Sequence, residues 1–160
     1  MPKTRKTWRQ KLEEKHPEHG KVVDVPPKMQ DRFGTGKMLI PKPLDIDALI
    51  NKVPKGKLAT VNQLREQLAK DAHAHCSCPM TTGIFLRIVA EAAEEDLKDG
   101  KREVTPYWRV IKADGSLNEK FPGGVRAQAA RLKEEGHIIE PNRGKKPPRV
   151  NDFEKSLQKL

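Results

Sequence analysis

Val53-Pro54-Lys55-Gly56-Lys57-Leu58-Ala59-Thr60 is the stretch on which the reading of this chain turns. Pro54 and Gly56 break any helix before them, and Thr60 with Gln63 three residues later makes a capping box that starts a new one. Upstream, Ile46, Leu49, Ile50 and Val53 recur at helical spacing and predict a helix over about 45–52. Downstream, Val61, Leu64 and Leu68 make one apolar face of a second helix that reaches about Lys70. Asp71 to Pro79 reads as a loop. Thr81 or Thr82 then caps a third helix with a buried stripe of Ile84, Phe85, Ile88, Val89 and Ala92, ended by Gly100. Three helices joined in this way predict a helix-turn-helix core.

Further along, the period changes. Tyr107 to Lys112 and Leu117 to Phe121 flank Asp114-Gly115, a favoured hairpin pair, which predicts a small β wing. Gly123-Gly124 precede a fourth helix, Val125 to Glu135, ended by Gly136. Ile138-Ile139 reads as a strand, and Asn151 or Asp152 as the cap of a short last helix carrying Phe153, Leu157 and Leu160. Toward the N-terminus, a polar helix over Thr7 to Lys15 is ended by His16-Pro17. A Pro- and Gly-rich extended segment follows, in which Val22, Val23, Val25, Met38, Leu39 and Ile40 are candidates for edge strands. The expected organisation is an extension over 1–43, a domain over 44–140 and a basic extension over 141–160. The expected class is mainly α with a small β wing, a winged helix-turn-helix.

The composition narrows the function. Of 160 residues, 35% are hydrophobic and 4% aromatic, and 32 Lys and Arg against 22 Asp and Glu leave a net charge of +10. The excess lies in the first and last thirds, while 51–100 is balanced. An uneven basic surface suits a polyanion, because each neutralised phosphate releases counterions. Cys76 and Cys78 are too close to make a disulfide framework, which points to a reducing, cytoplasmic setting. No apolar run is long enough to span a membrane, and no apolar segment follows the basic start as a secretory signal requires.

Two runs then carry a family resemblance. Val53 to Thr60 resembles the "(I/V)PxGxVxTY" approach to the helix-turn-helix of the O6-alkylguanine-DNA alkyltransferases (methylated-DNA-protein cysteine methyltransferases). Pro106-Tyr107-Trp108-Arg109-Val110-Ile111 resembles their "PCHRVI" active-site segment. Asp114-Gly115-Ser116-Leu117, Gly123-Gly124 and Glu135-Gly136 follow in the family's order and spacing, so that the likeness covers about 44–137. It implies the fold of the family's C-terminal DNA-binding domain, duplex DNA as partner, no cofactor and a monomer, with a DNA-repair protein as a further partner. The family's cysteine attacks the alkyl group of a flipped guanine, helped by a histidine and a glutamate. Here those positions are Tyr107, Trp108 and Glu135, so only the glutamate keeps its type. A phenol with a pKa near ~10 is a poor nucleophile, and indole accepts no proton. The expectation is a non-enzymatic DNA-binding protein similar to the cysteine-lacking alkyltransferase-like proteins, one that recognises alkylated or distorted bases. The alternatives are a methyltransferase with an unconventional acceptor and an interaction module that kept the fold. The chain departs further than those proteins do: Val61 replaces the family's tyrosine, and Met80 or Thr81 its inserted arginine.

The resemblance makes Lys55, Lys57, Thr60, Met80, Thr81, Thr82, Tyr107, Trp108 and Arg109 the candidate DNA-binding residues. Tyr107 and Trp108 read either as packing of the wing or as a wall that stacks on an extruded base; Met80 reads as core or as an apolar wedge. His73, His75, Cys76 and Cys78 are zinc-type residues at a spacing that does not fit the common structural sites, and read better as a polar loop. Arg143, Lys145, Lys146 and Arg149 form a basic run that suits a solvated tail or a phosphate track. Glu91, Glu94, Glu95, Asp96 and Asp99 make the end of the third helix acidic, against the helix dipole, so DNA must approach its beginning.

Overall fold

Thr60 and Gln63 form the anticipated capping box in a computed structural model that describes residues 6–141 and 144–160. The Thr60 hydroxyl accepts from Gln63 N at 3.1 Å, and the Gln63 side chain accepts from Thr60 N at 2.8 Å. The helix they start, α4 (Val61–Asp71), is preceded by α3 (Pro43–Ile50) and followed by the long α5 (Pro79–Lys98). Ile46, Leu49 and Ile50 of α3, Leu64 and Leu68 of α4, and Phe85, Leu86, Val89, Ala90 and Ala93 of α5 pack into one core. Tyr107 and Phe121 complete it.

The segment before α3 belongs to this packing. Helix α1 (Trp8–Glu13), with its own Thr7–Gln10 capping box, lies against α5 and buries Leu12. Strand β1 (Val22–Asp24) pairs antiparallel with β2 (Lys37–Leu39), and β2 pairs parallel with β4 (Cys76–Ser77). The expected loop over 71–79 therefore contains a strand, which the two strands of the N-terminal segment recruit. Between β1 and β2, Pro27–Met29 form a 3-10 turn and Gln30–Phe33 the short helix α2, neither of which the Pro- and Gly-rich composition disclosed.

Helix α5 begins earlier than Thr81 or Thr82 suggests. Cys78 is its N-cap and Pro79 its first residue, where a missing N–H costs nothing. The Thr82 hydroxyl donates back to Cys78 O at 2.7 Å inside the core, so it caps nothing. Of the expected stripe, Ile84 faces solvent and Leu86 is buried in its place.

The predicted two-stranded wing does not form. Tyr107–Arg109 are a 3-10 turn, and β5 (Val110–Ile111) pairs parallel with β3 (Ala59–Thr60) rather than with 117–121. The Asp114-Gly115 turn itself is present, closed by Lys112 N donating to Ser116 O at 2.9 Å. Gly115 has φ +87°, and a Cβ there would run into the Phe153 ring, so the position requires glycine twice over. Helix α6 (Gly124–Glu134) follows, with Gly123 at φ +77° as its N-cap. Strands β6 (Ile139–Glu140) and β7 (Arg149–Val150) pair antiparallel. The expected last helix is a single 3-10 turn, Phe153–Ser156, with Asp152 left-handed and no side-chain cap. Leu58, Ile111, Leu117, Leu132, Val150 and Phe153 make a second core cluster, which Leu58 N donating to Ser156 O at 2.9 Å and Gln158 N to Leu58 O at 2.8 Å tie to the C-terminal segment. Among the described residues no helix is long and apolar enough to cross a membrane.

Candidate nucleic-acid interface and the closed acceptor position

The turn Tyr107–Arg109 is held between α5 and α6. Gln128 of α6, itself buried, donates from Nε2 to Trp108 O at 3.0 Å and Val110 O at 2.9 Å and accepts from Asn118 N at 2.8 Å. This one amide fixes both the turn and the chain after it.

Tyr107 points into the core and is 1% exposed. Its ring meets Trp108 and Phe121 edge-on, with centroids 5.4 and 5.2 Å away. Its hydroxyl donates to Glu94 Oε1 at 2.6 Å, and Arg131 Nη2 donates to the same oxygen at 2.7 Å. Burial, then the hydrogen bond to Glu94, push the phenol well above its ordinary pKa. Trp108 is half-buried and donates from Nε1 to Glu135 Oε2 at 3.0 Å, while the Arg131 guanidinium lies 4.4 Å from its ring centroid. Arg109 grips Glu135 through Nε at 2.9 Å and Nη2 at 2.8 Å, and its Nη1 donates to Val53 O at 2.6 Å. Burial alone would raise the Glu135 carboxyl, but the hydrogen bonds from Arg109 and Trp108 outweigh it and hold the group below its ordinary pKa.

The sequence candidates therefore divide into two groups. Thr60, Thr82 and Tyr107 are buried, and Arg109 is consumed by Glu135 and Val53, so these four leave the surface set. The expectation of Arg109 at a phosphate is corrected by an ion pair with side chains only 14% and 8% exposed. Lys55 and Lys57 remain exposed on the turn before β3. Met80 is 72% exposed in the first turn of α5, beside Thr81, whose hydroxyl lies 3.1 Å from Cys78 Sγ. Thr82 N already bonds Cys78 O, so the free N–H groups of this helix start belong to Met80 and Thr81. Lys145, Lys146 and Arg149 are exposed, while Arg143 lies outside the described residues.

His75 accepts at Nδ1 from Lys37 N at 2.9 Å, which ties its ring to the strand pair, and burial pushes the Cys76 thiol up. Among the described residues His73, His75, Cys76 and Cys78 do not assemble into a group that could hold a metal ion.

The acidic end of α5, unaccounted for in the sequence, has a structural cause. Glu94 takes Tyr107 and Arg131. Glu95 accepts from Trp8 N at 2.9 Å and Arg9 N at 3.0 Å, the free donors at the start of α1. Asp96 pairs with Arg9 and Lys101. Glu94, Arg131 and Gln128 escaped the sequence reading because their partners are remote; the unexplained acidity was the one signal that pointed to Glu94.

No protein-family model and no curated protein matches the chain. Among solved structures, the chain is similar to S. pombe Atl1 in complex with damaged DNA containing O6-carboxymethylguanine, at 19% identity and a TM-score of 0.49 over 74% of this chain and 94% of that one. It is also similar to S. pombe ATL in complex with DNA, at 18% identity and a TM-score of 0.45 over the same shares.

Proposed function

We propose that this chain is a non-enzymatic, alkyltransferase-like protein that binds duplex DNA at distorted or alkylated sites, with α4 and α5 as its helix-turn-helix pair. The observation that carries the non-enzymatic part is the closed acceptor position: Tyr107 is buried, with its hydroxyl committed to Glu94. A phenol whose pKa is raised has even less phenolate than a free one, and Trp108 donates to Glu135 instead of accepting a proton. Tyr107 fills the core side of the turn, with Trp108 packed edge-on against it. DNA binding is supported by the net positive charge and by the exposure of Lys55 and Lys57 on the turn before β3 and of Met80 in the first turn of α5. Met80 stands out from that turn as an apolar wedge, suited to a base step that a lesion has already loosened.

The test is a titration with duplexes carrying guanine or O6-alkylguanine at two salt concentrations, together with intact-protein mass spectrometry after exposure to O6-benzylguanine. The expected outcome is duplex binding that weakens steeply with salt, tighter for the alkylated duplex, and no mass adduct. A stoichiometric adduct removes the non-enzymatic reading, and absence of binding at low salt removes the DNA reading.

A further inference from the structure

Just before the start of α5, a cavity of about 530 Å³ opens between α4 and β4. Arg32, Asn62, Arg65, Lys70, His75 and Cys76 are among its lining residues. The guanidinium carbons of Arg32 and Arg65 lie 5.0 and 5.5 Å from the centroid of the same Phe33 ring. Two like charges thus share one aromatic surface. Among the described residues, none of Arg32, Arg65 and Lys70 has a carboxylate within salt-bridge distance, although Glu66 also lines the cavity. Arg65 Nη1 donates to Asn62 Oδ1 at 3.3 Å, but its Nε is buried with no hydrogen-bond partner among the described residues. A buried guanidinium donor without an acceptor is costly, and an anion with several oxygens removes that cost. Burial first, and Arg32 second, hold the Arg65 pKa below its ordinary value, which is the same uncompensated charge seen another way.

We infer that the Arg32–Arg65 cavity is a binding site for a phosphate group, occupied by a backbone phosphodiester of duplex DNA. The position favours this source. Cys76 and Ser77 line the cavity, and the chain passes from them through Cys78 and Pro79 directly to Met80, so a strand crossing the start of α5 reaches the cavity next. The segment before α3 supplies Arg32, which gives that segment a part in binding. This inference rests on the DNA reading above.

The test follows the Nε–H resonance of Arg65 by NMR in the full chain while duplex or inorganic phosphate is added, and measures duplex affinity at two salt concentrations for wild type and variants. The duplex is expected to shift the resonance. Arg65→Gln is expected to weaken binding about tenfold and lower the log–log salt slope by about one, with Arg65→Lys keeping the slope. Exposed Arg32→Ala carries the same expectation should Arg65→Gln fail to fold. If wild type binds duplex and the folded Arg65 and Arg32 variants bind with the same affinity and slope, the inference is overturned while the DNA reading stands. If wild type does not bind duplex at low salt, both fall. Inorganic phosphate that saturates the Arg65 signal below millimolar concentration and is not displaced by duplex overturns the DNA source in favour of a small phosphorylated ligand.

Discussion

Arg109 shows how much a single side chain's partners decide. From its type and place it belonged at a phosphate; in the structure it is the counter-charge of a buried carboxylate. Removing one partner of a buried pair leaves the other charged and unsatisfied, at about 3–5 kcal/mol. Arg109→Ala is therefore expected to lower the unfolding free energy by about that amount while leaving the salt slope of any DNA binding unchanged; chemical denaturation and a salt titration check the two halves separately. The residues legible in the sequence are those whose partners are near in the chain: Thr60 with Gln63, and Gly115 in its turn. Arg109 and Glu135 are 26 residues apart, and no local pattern announces that they meet.

At the scale of elements, α1 is six residues long, too short to persist alone, and owes its place to α5. Leu12 supplies the apolar anchor, and Glu95 receives the first two N–H groups of the helix. Glu95→Ala is expected to destabilise the protein by about 1–2 kcal/mol, with the loss concentrated in α1. Hydrogen exchange should show Lys11 N and its neighbours losing protection while the core of α4 keeps its own. The helices themselves were legible because their apolar periodicity is strong, from Ile46 through Leu68. The wing was misread because Asp114-Gly115 is a favoured hairpin pair, whereas Tyr107–Arg109 coil into a 3-10 turn and β5 finds its partner in β3, far back in the chain and in parallel register. The cap of α5 was misread because threonine is a favoured cap, although Pro79 marks the first helical residue better.

At the scale of the molecule, acid should loosen the fold in two stages. His137 and His19 are each lowered from 6.5, chiefly by burial, and each has a buried ring nitrogen without a partner among the described residues. Below pH 6.5 the unfolded chain takes up protons that the native rings resist, so stability falls as pH drops from 6.5 through the folded values and is fully present above 6.5. Glu135 acts lower on the scale: its depressed pKa adds stability above the ordinary carboxylate value of 4.5, lost as pH falls further. Tm measured from pH 8 to 3 should decline first as pH falls below 6.5, the ordinary histidine value, and again below 4.5, the ordinary carboxylate value. The double variant His19→Gln, His137→Gln should flatten the first decline and leave the second.

The pairing of Leu58 with residues 156–158 has a bearing on how the chain comes into being. Residues near position 58 leave the ribosome early, and at ~5–20 residues per second several seconds pass before their partners follow. The first core, centred on α3, α4 and α5, can gather during that interval, because most of its members lie between positions 39 and 121. The second cannot close until Val150 and Phe153 are outside, so Leu58, Ile111 and Leu117 wait exposed for the whole delay. A nascent chain halted near position 145 would hence present a sticky apolar seam, a natural landing place for chaperones that patrol unfinished proteins.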